Sequence, residues 1–152
     1  MQFEHLIAIN DPANPLLTPL SRQQAWAGLL QRVENPLPFL PGLEACAIVE
    51  RHANHLIREL DFGAARIRDR VTWAEARWVR FDIEPGEQHA GGSLSISIEE
   101  AEAGQLFLRF AYATHIGGED EAYGEYIKSA YRQSDIDCVR IIRALAAEGN
   151  PQ

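Results

Sequence analysis

Asp69 and Arg58 are the residues whose types and positions most invite chemistry in this chain. Asp69 shares an alternation face with Ile67, Val71 and Trp73, and Arg58 shares one with Leu56, Leu60 and Phe62. If those faces point inward, a carboxylate and a guanidinium lie among apolar side chains on neighbouring strands. Burial raises a carboxyl pKa unless a cation sits beside it. An Asp69–Arg58 pair would satisfy both charges. It would serve as a polar anchor for a ligand, with Asp69 as an acid or base, or as an ion pair that only holds the sheet. A local bulge that turns Asp69 outward is the remaining reading. His89 lies in a glycine-flanked loop, as a gate residue or as an imidazole bonded to loop backbone. Tyr112 and Thr114 offer hydroxyls near the end of a strand. His5 lies on the apolar face of the first strand and reads as a core histidine.

Other chemistries find little support. His52 and His55 straddle a hairpin turn without further ligands nearby, whereas zinc needs three or four that converge. No metal or cofactor is therefore expected. Ser21 reads as a helix cap, and Ser93, Ser95 and Ser97 as a solvated strand face. No Ser-His-Asp or Cys-His set is visible. Gly91-Gly92 and Gly117-Gly118 lack a strand–loop–helix phosphate motif and read as turns. The 152 residues carry a formal charge of −8. That charge repels phosphate backbones, so nucleic acid is not an expected partner. Arg66, Arg68 and Arg70 share one strand face, as an anion patch or as a solvated face beside acidic neighbours. No window approaches the ~18 apolar residues of a membrane span. Cys46 and Cys138 lie in apolar surroundings and read as reduced thiols, which suits the cytoplasm.

The elements that must position these residues are legible. Phe3 to Ile9 alternates as a first strand. Ser21 with Gln24 three residues later forms a capping box for a helix over Arg22 to Arg32, with Trp26, Leu29, Leu30 and Val33 as its buried face. A short helical turn fits Pro36 to Leu40. Strands follow over Cys46–Arg51, Leu56–Phe62, Arg66–Trp73, Trp78–Ile83, Ser93–Ile98 and Leu106–His115, joined by short turns that imply antiparallel pairing. From Glu119 to Glu148 a stripe of Tyr123, Ile127, Ala130, Ser134, Cys138, Ile141 and Leu145 predicts one long helix. At 1.5 Å per residue it is about 45 Å long and must lie across a broad apolar surface.

That order resembles the helix-grip fold of the START-like superfamily, which includes the birch-pollen allergen, lipid-transfer domains and aromatase/cyclases. Phe3-Glu4-His5-Leu6-Ile7, Ile9-Asn10-Asp11-Pro12, Pro41-Gly42-Leu43 and Arg68-Asp69-Arg70-Val71 resemble the AtaL-like subfamily in particular. So do His89-Ala90-Gly91-Gly92-Ser93-Leu94, Leu106-Phe107-Leu108-Arg109-Phe110 and Tyr126-Ile127-Lys128-Ser129-Ala130-Tyr131. The resemblance implies one domain over residues 1–152. It also implies an α+β fold with about seven antiparallel strands on a C-terminal helix, and a hydrophobic or aromatic small molecule held between them. A cyclase or dehydratase acting on a polyketide-like or aromatic substrate is the alternative. No catalytic set carries over residue by residue. The expected lining is Trp26, Ile96, Leu108, Phe110, Tyr112, Tyr123, Ile127 and Tyr131, with Asp69, Arg58 and His89 as candidates for polar roles. Each lining residue has the plainer reading of core filler.

Overall fold

A computed structural model describes residues 2–86, 91–114 and 121–149, with the backbone alone for 121–123. Strand β1 spans Gln2–Ala8, helix α1 Arg22–Glu34, and a 3-10 turn Leu37–Phe39. Six strands follow: β2 (Ala45–Arg51), β3 (His55–Asp61), β4 (Arg66–Ala74), β5 (Trp78–Ile83), β6 (Gly92–Glu100) and β7 (Leu106–Thr114). Helix α2 spans Glu121–Gly149. The sheet order is β1-β7-β6-β5-β4-β3-β2, antiparallel throughout, so β2 to β7 form a meander and β1 closes against its end. This is the α+β helix-grip arrangement, with an open seven-stranded sheet and a long C-terminal helix.

Alternation builds the inner face in rows across the strands. One row runs His5, Phe110, Ile96, Val79, Trp73, and the next Phe3, Tyr112, Leu94, Phe81, Val71, Leu56. A third places Ile83, Asp69, Arg58 and Ile48 in register. The opposite face of β4 leaves Arg66, Arg68 and Arg70 exposed. Arg66 and Arg68 sit 3.9 and 3.8 Å from Asp61 and Glu59, so that face is solvated and lies beside acidic neighbours. Edge strand β2 carries a register shift between Ile48 and Glu50. Such a bulge bends a free edge away from further pairing.

The capping box of α1 is complete: Gln24 N donates to Ser21 Oγ at 3.1 Å, and Ser21 N to Gln24 Oε1 at 2.9 Å. Its buried residues are Ala25, Trp26, Gly28, Leu29, Arg32 and Val33. Leu30, expected inside, is 37% exposed. The reason is phase. Positions 25, 28, 29 and 32 recur at helical spacing along one face, and position 30 falls beside it. The long helix shows the same correction. Its fully enclosed residues include Asp135, Cys138 and Ile142, while Ala130 is exposed and Ser134 half-buried. The expected stripe followed small and apolar residue types, and the helix follows its 3.6-residue period through a charged position.

Gly28 sets how closely the helices approach. A Cβ there would lie 2.6 Å from the Ile142 side chain. Buried Asn10 fastens the opposite corner, accepting from Leu20 N at 2.8 Å and donating to Leu20 O at 2.8 Å and Gly104 O at 3.2 Å. Arg143 of α2 donates to Thr18 O at 2.9 Å and to Ile9 O, tying the helix to the segment after β1.

Gly28→Ala gains about 1 kcal/mol of helix propensity. It also overpacks α1 against α2, at a cost of about 1–3 kcal/mol. The net expectation is a lowered urea midpoint. An unchanged or raised midpoint would show that the helices part freely.

Candidate functional site

Among the described residues, the polar groups inside the sheet–helix interior gather at one end. His5 is fixed by β1 opposite Phe110, and Tyr112 by β7 opposite Phe3, so both point inward as diagonal neighbours. Asp135 reaches down from α2 and is fully enclosed. Tyr112 donates its hydroxyl to Asp135 Oδ1 at 2.6 Å. His5 Nε2 and Asp135 Oδ2 stand 2.5 Å apart, within hydrogen-bond distance. Burial pushes the Asp135 carboxyl above the ordinary aspartate range, and the bonds from Tyr112 and His5 only partly oppose it. Burial, then the Asp135 charge, drives the Tyr112 phenol far above its usual value. Aromatic rings wall the group in. Tyr131 stacks on Tyr112 at 3.9 Å and 3°, and Phe3 lies 6.3 Å from Tyr131 and 5.0 Å from His5. A carboxyl group with a raised pKa, next to an imidazole and a phenol, can give or take a proton at one point in an apolar space.

Arg58 and Asp69 do meet on adjacent strands. Arg58 Nε donates to Asp69 Oδ1 at 2.9 Å and Nη2 to Oδ2 at 2.6 Å, with both side chains almost fully enclosed. Arg58 Nη1 donates to the carbonyls of Arg32 and Val33 at 3.2 and 3.0 Å. A guanidinium at the last turn of a helix satisfies orphan carbonyls and favours the dipole. Every nitrogen of Arg58 is thus bonded to protein, and the pair clamps α1 onto β3 and β4. The Arg32 side chain sits beside it and differs. It is 7% exposed, with its guanidinium 5.6 Å from the Phe81 ring centre and 5.9 Å from that of Phe39. Its Nη1 is buried without a hydrogen-bond partner.

The other expected residues separate by burial. Ile96, Leu108 and Phe110 are wholly enclosed and belong to the core. Trp26 is buried on α1, and Ile127 and Tyr131 are half-buried on α2. Tyr126, the alternative to Tyr131 on the same helix, is 68% exposed. The side chain of Tyr123, and His89 altogether, lie outside the described residues. His52 and His55 stack at 4.3 Å on their hairpin, bonded to Glu50 and Asn54. Cys46 and Cys138 are free thiols whose pKa values burial raises. A hollow of about 560 Å³ is an open groove between α1 and α2, lined by Ala27, Gly28, Leu145 and Ala146 among others, and it holds none of the expected lining residues. A second, of about 360 Å³, lies along β1 and β7 and reaches Phe3 and Tyr112. Asp135 and Arg32 were not singled out from the sequence. Their signal was phase alone: Asp135 lies four residues after Tyr131 and three before Cys138, and Arg32 three after Leu29.

A family model described as AtaL, acetylaranotin biosynthesis cluster protein L, matches residues 7–149. The chain belongs to the AtaL family. Solved structures similar to this AtaL-family chain share its fold at low identity. The aromatase/cyclase ZhuI from Streptomyces sp. R1128 is 16% identical with a TM-score of 0.66, over 99% of each chain. The di-domain aromatase/cyclase StfQ of the steffimycin biosynthetic pathway is 14% identical with a TM-score of 0.70. That match covers 97% of this chain and 51% of StfQ, so the chain spans about half of that protein. Ara h 8.0201 is 13% identical with a TM-score of 0.64, over 95% of this chain and 98% of that one. These likenesses show that the chain shares the helix-grip fold of those proteins. No curated protein matches the chain. Among the described residues, no helix is long and apolar enough to cross a membrane.

The raised Asp135 pKa sets a sign. A carboxyl whose folded pKa lies above its unfolded value contributes stability that is complete below the unfolded pKa and is lost as pH rises through the folded one. Asp135→Asn keeps an acceptor for Tyr112 and does not ionise. Wild type should therefore lose melting temperature relative to Asp135→Asn as pH rises from about 4 towards neutrality. A gap that stays constant or reverses would show that Asp135 ionises as an ordinary aspartate.

Proposed function

We propose that this AtaL-family protein binds a hydrophobic or aromatic small molecule between the sheet and α2, at the end marked by Tyr112 and Tyr131, within the cytoplasm. The observation that carries the reading is the enclosed Asp135, bonded by Tyr112 and His5 within an aromatic wall. Ligand sites combine apolar walls with a few fixed polar groups, and this end has both. Leu94 and Phe81 continue the wall on the sheet, and Ile127 on the helix; Trp26 belongs to the same interior. Ile96, Leu108 and Phe110 act beneath it as the packed floor.

A second reading is favoured by the same cluster. The Asp135 carboxyl, hydrogen-bonded to Tyr112 and within 2.5 Å of His5, groups an acid, a phenol and an imidazole at one point, which suits a cyclisation or dehydration of a polyketide-like or aromatic compound. The solved aromatase/cyclases of similar fold add support at the level of fold. In that reading Asp135 is the acid or base, and Arg58 and Asp69 only position α1. Turnover that survives Asp135→Asn would remove the reading, because general acid–base loss costs about 10²–10⁴-fold.

N-phenyl-1-naphthylamine, a neutral apolar fluorophore, tests the binding reading. The expected result is saturable enhancement at one probe per chain, weakened about tenfold, or ~1.4 kcal/mol, in Tyr131→Ala. Enhancement that never saturates, or that ignores Tyr131→Ala, would contradict it.

A further inference from the structure

Among the described residues no carboxylate pairs with the Arg32 guanidinium, whose side chain hydrogen-bonds the Cys138 thiol and leaves Nη1 unpartnered. A guanidinium keeps its proton at any pH a folded protein meets, and an unpaired buried charge is strongly unfavourable. The enclosed carboxylates around it are committed elsewhere: Asp69 to Arg58, and Asp135 to His5 and Tyr112. Phe39 and Phe81 flank the guanidinium, a partial compensation that also holds its plane. Phe81 carries the Arg58 guanidinium as well, at 5.0 Å, so that ring is shared between two cations. The Cys138 thiol of α2 faces Arg32, and its charge is felt by Tyr112 and Asp135. The cation therefore lies between sheet and helix, beside the aromatic end described above, with Nη1 buried and unpartnered.

We propose that Arg32 is the anion-pairing residue of the interior site, and that the molecule held there is an aromatic compound bearing an oxyanion, a carboxylate or an ionised phenol or enol. The inference rests on the binding reading and deepens it. Arg–carboxylate pairing is planar and bidentate, and the rings of Phe39 and Phe81 present the Arg32 fork in a fixed orientation for it. Phe39 stands on the 3-10 turn Leu37–Phe39 and is buried beside the cation. Tyr112 and Tyr131 then take the aromatic body.

The test compares 2-naphthoate with 2-naphthamide, which match in shape and differ in charge, by isothermal titration calorimetry. Wild type is expected to bind the carboxylate at least tenfold more tightly than the amide. Arg32→Gln should erase that ratio and leave the amide affinity within about twofold. Guanidinium ¹⁵N signals of wild type, with Arg32 assigned, should shift on adding the carboxylate and stay still with the amide; this readout needs no variant. Equal affinities in wild type overturn the inference alone. So does a carboxylate preference that persists in Arg32→Gln, or a variant that only melts earlier with the ratio intact. Failure of both probes to bind overturns the binding reading together with it.

Discussion

A carboxyl group sealed from water holds the C-terminal helix to the sheet. Asp135 accepts from a tyrosine of β7 and is hydrogen-bonded to a histidine of β1, so one side chain joins the helix to two strands. The rest of the interior follows from that tie. About two turns further on, α2 rests on α1, where Gly28 leaves room for Ile142. The helix is thus anchored by a polar bond at its middle and by close packing toward its C-terminal end. Packing tolerates small shifts poorly, and a buried hydrogen bond fixes direction as well as distance. Together they set the register of a helix that, at about 1.5 Å per residue, is longer than the sheet is wide.

Charge divides the interior in two. Around Ile96, Leu108 and Phe110, all fully enclosed, the interior is apolar. Toward Tyr112 it carries the Arg58–Asp69 pair, the Asp135 cluster and Arg32. Buried ion pairs add little stability over apolar packing, and an unpaired ion detracts from it. The Arg58–Asp69 pair has a structural use, since Arg58 also satisfies the last carbonyls of α1. Arg32 packs on Phe39 and Phe81 and leaves Nη1 unpartnered among the described residues, which is the ground for assigning it to an anionic ligand.

Much of the fold was legible because its signals are local. Period-two alternation in segments such as Ser93–Ile98 and Trp78–Ile83 marks strands whatever their partners, and short turns dictate antiparallel neighbours. Ser21 and Gln24 announced α1 through a cap that needs only four residues. The Arg58–Asp69 contact was readable too, because both residues fall on inward faces of consecutive strands. The candidate site was harder. Asp135 and Arg32 interrupt the apolar stripes of their helices, so a reading by residue type passes over them and prefers Ala130 and Leu30, both of which face water. Only the helical phase reveals them, and phase is uncertain until neighbours fix it. The division between lining and filler is not local at all. It depends on how side chains from five strands and two helices share volume, and residues as alike as Leu94 and Ile96 differ only in what stands above them.

Locating a bound apolar probe tests this account most directly. Intermolecular nuclear Overhauser effects between N-phenyl-1-naphthylamine and assigned side chains separate the interior from the open groove between the helices. The account predicts contacts to Tyr112, Tyr131 and Leu94. Contacts confined to Ala27, Leu145 and Ala146 would place the molecule on the outer groove and contradict it.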